Sequence, residues 1–343
     1  MGNSEFAIIT KIKAMLANKL SNSELNQLAN FATIEQIAGF LKRHPHYQVI
    51  LGDINERSIS RGYLEILVRS IYNYDLSKLL RYSQKQLHHF HLYGILKIEM
   101  NQILLCIENL SDQLNLEHLK NIPYYLNNYF SYDIGELLHV TNREELLKVI
   151  KKSFYYPILA KLYKDNPLAD YVQCEIAFEK AYYEKIHFLI NQEFSATSKK
   201  LLNDYLSEVL DMKLLIRIYR LKKYYELSPE AIKVFLNINP NKIKKDQLIE
   251  MIEQPVDQFY TSILQTKYGE YFKGYQNYVY IEQIVENLQL HKAKKLLNQS
   301  MDPQLSLFAY MIISEIEINN LIKIIEGVSY HQDNSEIARM LVY

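Results

Sequence analysis

Three acidic residues lie inside apolar helical patterns at nearly even spacing. Glu99, Asp211 and Glu317 are separated by 112 and 106 residues, and each falls on the apolar face of its helix, where an unpaired carboxylate is costly. A constellation of carboxylates is typical of acid–base catalysis. Buried carboxylates are more often hydrogen-bonded structural groups. We therefore favour the second interpretation, in which each one links neighbouring helices within its own part of the chain.

The stretch from Ile316 to Gly327 is the clearest example of this pattern. At 100° per residue it forms a helix with one apolar face, on which Glu317 lies one turn before Asn320 and beside the apolar Leu321. Gly327 is expected at the C′ position that ends the helix. These four residues form a predicted structural motif.

The elements around the carboxylates also repeat. A second landmark, a short helix start, occurs at Glu35, Glu144 and Asp246, with separations of 109 and 102 residues. Two landmarks with a common period predict three copies of one unit. We place the units at residues 1–112, 113–227 and 228–343, each large enough to bury a core of its own. The three carboxylates are expected to coincide when the units are superimposed.

The low content of chain-breaking residues indicates an all-α fold. The 343 residues include eight prolines and nine glycines, and the apolar period is near 3.6 almost throughout. Helix caps are predicted within Ser21-Asn22-Ser23, at Thr33 and among Ser195, Thr197 and Ser198, and Asp302 followed by Pro303 is predicted to start the helix that carries Glu317.

Composition argues against several classes of function. With 39 basic and 39 acidic residues the net charge is zero, which disfavours non-specific nucleic-acid binding and electrostatic attachment to a membrane surface. Cys106 and Cys174 are interpreted as buried apolar residues in a reducing compartment. The sequence shows no secretory signal and no run of about 18 uncharged apolar residues, so we expect no direct membrane span.

Other candidate chemistry is weak. The glycine pair Gly269 and Gly274 lacks the Lys-Ser/Thr of a phosphate-binding loop, so no nucleotide or other cofactor is expected. His88, His89 and His91 do not face one site on a helix, so no metal site is expected.

A basic run follows Asp211. It consists of Lys213, Arg217, Arg220, Lys222 and Lys223. The run is interpreted mainly as a solvated face. If it is functional, Lys213, Arg217 and Arg220 are the candidate contacts to an acidic partner surface.

The sequence from Glu317 through Asn320, Leu321 and Ile324 to Gly327 resembles the C-terminal signature of the C subunits of A-type and bacterial V-type rotary ATPases, which are homologues of the eukaryotic V-ATPase d subunit. The threefold repeat, helical pattern and length fit that family over the whole chain. The first two copies depart from the motif, because Gln102 and Leu214 stand at the position of Asn320.

The resemblance implies three helical subdomains around a pseudo-threefold axis, forming a funnel. It also implies a non-catalytic rotor adaptor that joins the central rotor shaft to the membrane-embedded rotor ring and transmits torque between ATP hydrolysis or synthesis and H⁺ or Na⁺ transport. Such a protein is cytoplasmic and is held at the membrane through the ATPase complex. The alternatives are an unrelated helical-repeat scaffold that binds proteins and, less favoured, an enzyme with a tyrosine-lined pocket.

Overall fold

The protein is helical throughout the part that can be described. The computed structural model describes residues 3–83, 92–112, 128–236, 240–276, 280–299 and 301–343. Helices make up 75% of the structure and no strand occurs in these ranges, so the predicted all-α class is confirmed. The three candidate histidines His88, His89 and His91 lie outside the described residues, as does part of the predicted boundary near residues 109–115.

Long helices alternate with groups of short ones along the chain. A 3₁₀ turn, Glu56–Ser58, precedes the first long helix, Arg61–Ser83. The α-helices are, in order, α1 Asn3–Ala17, α2 Asn22–Ala29, α3 Ile34–Arg43, α4 Gln48–Leu51, α5 Arg61–Ser83, α6 Leu92–Asp112, α7 Ile134–Leu137, α8 Arg143–Val149, α9 Tyr156–Asp165, α10 Tyr171–Glu193, α11 Ala196–Lys223, α12 Pro229–Leu236, α13 Lys245–Glu253, α14 Val256–Leu264, α15 Gly269–Phe272, α16 Gln283–Gln299, α17 Pro303–Ser329 and α18 Asn334–Met340.

The predicted caps start these helices. Ser21 and Glu24 form a capping box, and the Thr33 hydroxyl accepts a hydrogen bond from the Gln36 amide. The Ser195 hydroxyl accepts one from Ser198 at the start of α11. At the start of α17 the Asp302 carboxylate accepts from two backbone amides, and Pro303 occupies the first turn, where its missing N–H costs nothing.

Six long helices form a ring of neighbours. Close packing joins α17 to α5, α6 to α10, α10 to α11, α11 to α16, and α16 to α17. The remaining pair, α5 and α6, meets where Gly94 lies against Leu76. A Cβ atom at position 94 would come within 2.9 Å of the Leu76 side chain, so glycine permits this close approach. The long helices thus surround a central space.

The apolar core is not divided at the predicted unit boundaries. One large cluster of buried side chains extends from Ile8 to Val342 and draws on all three units. A second cluster joins α2, α3, α4 and the first half of α5 to the C-terminal half of α17 and to α18. The last helices of the chain therefore pack on the first, which the expectation of a separate core in each unit did not include.

Gly327 does not end its helix. The helix α17 continues to Ser329 and its C-cap is Tyr330, so the predicted C′ role is wrong. The reason for glycine is instead a close crossing of α18. A Cβ atom at position 327 would lie 2.6 Å from Cγ1 of Ile337, well inside contact distance.

The helix α17 is both long and strongly apolar. It is the one helix in the described ranges that is long and apolar enough to cross a membrane by length and composition, and 83% of its apolar window is buried inside the protein. Core helices commonly pass the same criterion. Here the apolar surface of α17 is used in packing against α1, α5, α16 and α18.

Candidate functional site

Asp211 is held by a ring of neutral donors. Its side chain is fully buried in α11. The backbone amides of Asn241 and Lys242 donate to its two carboxylate oxygens, each at 2.7 Å, and the Ile243 amide and the Tyr268 hydroxyl donate to Oδ2 at 3.1 and 2.9 Å. Hydrogen bonds to an ionised acceptor are stronger than neutral ones. This carboxylate therefore fixes the segment between α12 and α13 against α11.

Glu317 is held by a mixture of neutral and charged donors. The Leu20 amide and the Tyr47 hydroxyl donate to Oε1 at 3.3 and 2.5 Å. The ammonium group of Lys19 lies 3.1 Å from Oε2, and both side chains of this ion pair are almost completely buried. Glu317 thus connects α17, near the end of the chain, to the segment between α1 and α2.

A second carboxylate, Asp75 of α5, extends this buried network. The Tyr310 hydroxyl donates to Asp75 Oδ2 at 2.6 Å, His46 Nε2 lies 3.3 Å from the same oxygen, and Lys19 lies 3.9 Å away. Burial of the Tyr310 ring and the Asp75 charge raise the pKa of its hydroxyl far above the ordinary value, so it remains a donor. The network joins α5 and α17 through charged groups.

Among the described residues, Glu99 has the fewest donors of the three. Its Oε1 atom accepts from the backbone amide and the hydroxyl of Ser131, at 2.7 and 2.8 Å. Burial raises the pKa of Glu99 above its ordinary value, against the two Ser131 bonds, which lower it. The Tyr132 hydroxyl binds the neighbouring Gln102 at 2.7 Å.

These contacts follow one pattern but do not stay within the predicted units. Glu99 binds residue 131, Asp211 binds residues 241 to 243, and Glu317 binds residue 20. By the predicted boundaries each carboxylate reaches into the next unit, and the third returns to the first. The expectation of links within a unit is therefore wrong. The helix pattern located each carboxylate correctly, but it contained no information about which distant segment would supply the donors.

A buried tyrosine accompanies each carboxylate. Tyr47, Tyr155 and Tyr268 each precede a short helix and are essentially inaccessible to solvent. Tyr47 and Tyr268 donate to Glu317 and Asp211, whereas the Tyr155 hydroxyl donates to the Leu96 carbonyl in the helix of Glu99, at 2.9 Å.

The rest of the C-terminal motif fixes the end of the chain. The Asn320 side chain accepts from the Val342 amide at 2.9 Å and donates to the Val342 carbonyl at 2.7 Å. Leu321 is fully buried in the cluster shared with α2, α3 and α5. Both side chains therefore pack the last residues onto the first helices, and Asn320 also borders a pocket that Glu317, Val342 and Tyr343 help to line.

A cavity lies among the long helices. Its volume is about 750 Å³, and its lining comes from α6, α10, α11, α16 and α17. Aromatic side chains in the wall include Tyr93, Tyr182, Tyr183, Tyr205 and Phe308. Among the described residues, five of the six long helices thus present a mixed aromatic and charged surface to one space.

The three candidate contact residues lie in this wall, and each is already paired. Lys213 and Arg217 bind the two oxygens of Glu179 at 2.7 and 3.1 Å, and Arg220 binds Glu282. Burial by itself raises the pKa of Glu179, but the two cations outweigh it and lower the pKa to about 2. The basic run is therefore neutralised from within the protein over much of its length.

The geometry gives no support to a catalytic or metal centre in the described part of the chain. Each of the three carboxylates has its own donors in a different segment, and no contact joins them. No group of three His, Cys, Asp or Glu side chains in the described ranges is arranged to hold a metal ion. Cys106 and Cys174 are buried free thiols, and burial raises the pKa of Cys106 to about 12, which keeps it protonated.

Sequence reasoning missed the charged network around Asp75. Lys19 and His46 stand in loops between short helices, and Asp75 interrupts an apolar stripe of α5 in the same way as the three predicted carboxylates. An acidic residue on an apolar helix face was a usable signal for Asp75. The sequence repeat did not identify it, because Asp75 lies on α5, whereas the repeated carboxylate of the first unit, Glu99, lies on α6.

Comparison with known proteins identifies one family. The family model described as ATP synthase (C/AC39) subunit matches residues 8–340. No curated protein matches the sequence. The family match extends across all the helices described above apart from the first residues of α1.

Proposed function

Because the chain belongs to the ATP synthase C/AC39 subunit family, which contains the C and d subunits of V/A-type ATPases, we propose that it is the non-catalytic rotor adaptor of such an ATPase. In this role it joins the central rotor shaft to the membrane-embedded rotor ring. It passes torque between ATP hydrolysis or synthesis and the transport of H⁺ or Na⁺. Family membership argues against the alternative of an unrelated repeat scaffold.

The observation that carries this proposal is the set of packed long helices, five of which line one cavity. A rotating coupling has to hold the end of a shaft without deforming, and packed helices resist deformation better than loops do. The cavity of about 750 Å³ is the concave surface we assign to the shaft. Lys213, Arg217 and Arg220 line it, and they are our candidate contact residues as members of ion pairs with carboxylates of the wall, not as free charges.

Three repeated units are part of the proposal. The amide donors to the carboxylates, at Leu20, Ser131 and Asn241, are spaced by 111 and 110 residues, close to the spacing of the carboxylates themselves. This support comes from contacts that the sequence repeat did not include. We propose units at residues 1–112, 113–227 and 228–343, arranged around a pseudo-threefold axis as a funnel.

The proposed location follows from the same role. As part of the ATPase the protein associates with the complex, and we propose that it lies on the cytoplasmic side, peripheral to the membrane. In this arrangement α17 is a core helix and not an anchor, in keeping with its 83% buried apolar window.

Reconstitution tests the adaptor role directly. ATP hydrolysis and ATP-driven ion uptake should be measured in vesicles that carry the complete ATPase, and in vesicles that carry the same ATPase without this chain. We expect the soluble head to continue hydrolysing ATP and the ring to continue binding its ion, while ATP-driven uptake stops. Undiminished uptake without the chain would refute the proposal.

A further inference from the structure

The charges in the central cavity are not balanced. Lys97, Lys213, Arg217 and Arg220 supply four positive groups in the lining, and the acidic groups are Asp170, Glu175, Glu179, Glu282, Glu286 and Glu315. Most of these carboxylates have a cation close by. Glu179, Glu282 and Glu315 pair with residues of the cavity wall, and Glu286 pairs with Lys323 at 2.5 Å.

Glu175 is the exception. It stands on α10 one turn before Glu179, and in the described part of the chain no hydrogen bond or ion pair involves its carboxylate. Asp170, the other acidic group without an ion pair, caps α10 by accepting from the Gln173 amide at 2.9 Å. Burial raises the pKa of Glu175 and the neighbouring Glu179 charge adds to this effect, against the more distant charges of Arg217, Lys213 and Lys97, which lower it without forming an ion pair. A half-buried carboxylate beside a like charge is stabilised by a cation.

The surroundings of Glu175 also suit a cation. Tyr182 and Tyr183, about two turns along α10, contribute rings to the same cavity, and aromatic faces attract ammonium and guanidinium groups. Lys97 already lies 5.8 Å from the Tyr182 ring centre, and Lys213 lies 5.4 Å from that of Tyr183. The wall therefore accommodates positive groups among its rings.

We propose that the cavity receives a lysine or arginine side chain from the end of the rotor shaft, and that Glu175 is its anchor. This inference rests on the proposed function, because the shaft is the occupant assumed there. It reverses the expectation of an acidic partner for the basic run. Lys213, Arg217 and Arg220, the members of that run that line the cavity, are paired with internal carboxylates, and the carboxylates of the lining outnumber its cations.

Binding of purified shaft proteins to the full-length chain tests this inference. Affinity should be measured by calorimetry at low and high salt for the wild-type protein and for Glu175→Gln, which keeps the shape of the side chain. We expect Glu175→Gln to weaken binding by roughly fivefold at low salt, and the difference to shrink at high salt because the attraction is screened. Glu184→Gln is the matched control, since Glu184 is an exposed residue of the same helix outside the cavity lining.

A second variant distinguishes a basic occupant from an acidic one. Arg220→Gln leaves Glu282 without its cation and makes the cavity more negative, so a basic occupant should bind as tightly or more tightly. If Glu175→Gln binds the shaft as tightly as the wild type, or if Arg220→Gln alone weakens binding, the inference is wrong and the adaptor role is untouched. If the wild-type chain does not bind the shaft at all, both proposals fail.

Discussion

Asp211 and Glu99 occupy matching places in the sequence repeat, yet their surroundings differ in donor number. Asp211 receives three backbone amides and a tyrosine hydroxyl, whereas Glu99 receives the amide and hydroxyl of a single serine. Glu317 has two neutral donors, as Glu99 does, and adds a buried lysine. Carboxylates at equivalent positions of a repeat therefore need not contribute equally to the free energy of unfolding, because the donors decide how strongly each charge is stabilised.

The largest effect is expected at Asp211. Replacing it with Ala leaves three amides and the Tyr268 hydroxyl without their acceptor, and we expect a loss of roughly 3–5 kcal/mol in the free energy of unfolding. Urea denaturation of the isolated protein measures this loss. Asp53→Ala is the control, since Asp53 is exposed, and it should change stability by less than about 0.5 kcal/mol. Equal effects of the two substitutions would contradict the assigned role.

Glu317→Ala should be the next most destabilising change. We expect a loss of about 1–3 kcal/mol, because Tyr47 and the Leu20 amide lose their acceptor and Lys19 is left with only the more distant Asp75. Combining it with Lys19→Met should cost less than the sum of the two single changes, since the unpaired ammonium group is removed. If the effects of the two substitutions on the free energy of unfolding are strictly additive, the ion pair does not contribute to stability. If Glu317→Ala leaves the free energy of unfolding unchanged but abolishes ATP-driven ion uptake, Glu317 instead contacts a partner subunit.

The fall in stability at acidic pH should depend in part on Glu179. Its pKa in the folded protein is about 2, below the ordinary value of 4.5, so its contribution is fully present above pH 4.5 and is lost as the pH falls towards 2. We expect Glu179→Gln to lower stability at pH 7 by on the order of 2 kcal/mol, and to narrow that difference at pH 3. Denaturation curves at the two pH values measure this change, and a difference independent of pH would exclude the ion pair as its cause.

Glu99→Gln is expected to have the smallest effect, within about 1 kcal/mol of the wild type at pH 7. Its amide oxygen can still accept both Ser131 bonds. The folded protein raises the pKa of Glu99, so the contribution of this group is greatest below pH 4.5 and declines as the pH rises through the raised value. The variant should lack this decline, which a stability profile from pH 4 to 8 would reveal. A loss as large as that at Asp211 would remove the contrast between the two sites.

The sequence predicted local features well and long-range partners poorly. The caps at Ser21, Thr33, Ser195 and Asp302 depend on residues within one turn, so a single helix contains all the information needed to recognise them. The burial of the three carboxylates followed from helical periodicity in the same way. By contrast, Glu317 finds its donors almost 300 residues away, and no periodicity specifies such a pairing.

Gly327 shows a different limit of sequence reasoning. A glycine near the end of an apolar helix fits both a C′ cap and a close helix crossing. Only the position of Ile337 on the next helix decides between them. The arrangement of the long helices likewise depends on which helix faces pack together. The family resemblance suggested this arrangement, and the helical pattern alone did not.

The contact at Glu317 also has a mechanical consequence. Along the chain, α6 is followed by α10, and α11 by α16, with only shorter helices between them. The long helices α17 and α5 pack together although they lie near opposite ends of the chain. A coupling under torsional load yields at the joint that is not covalently bonded. The Tyr310–Asp75 hydrogen bond and the Arg61–Glu326 ion pair join α17 to α5 directly, and the Lys19–Glu317 ion pair joins α17 to the segment between α1 and α2. For the proposed adaptor, the load at which this joint slips is therefore set by these polar contacts together with the apolar cluster that α5 and α17 share, and not by the covalent backbone.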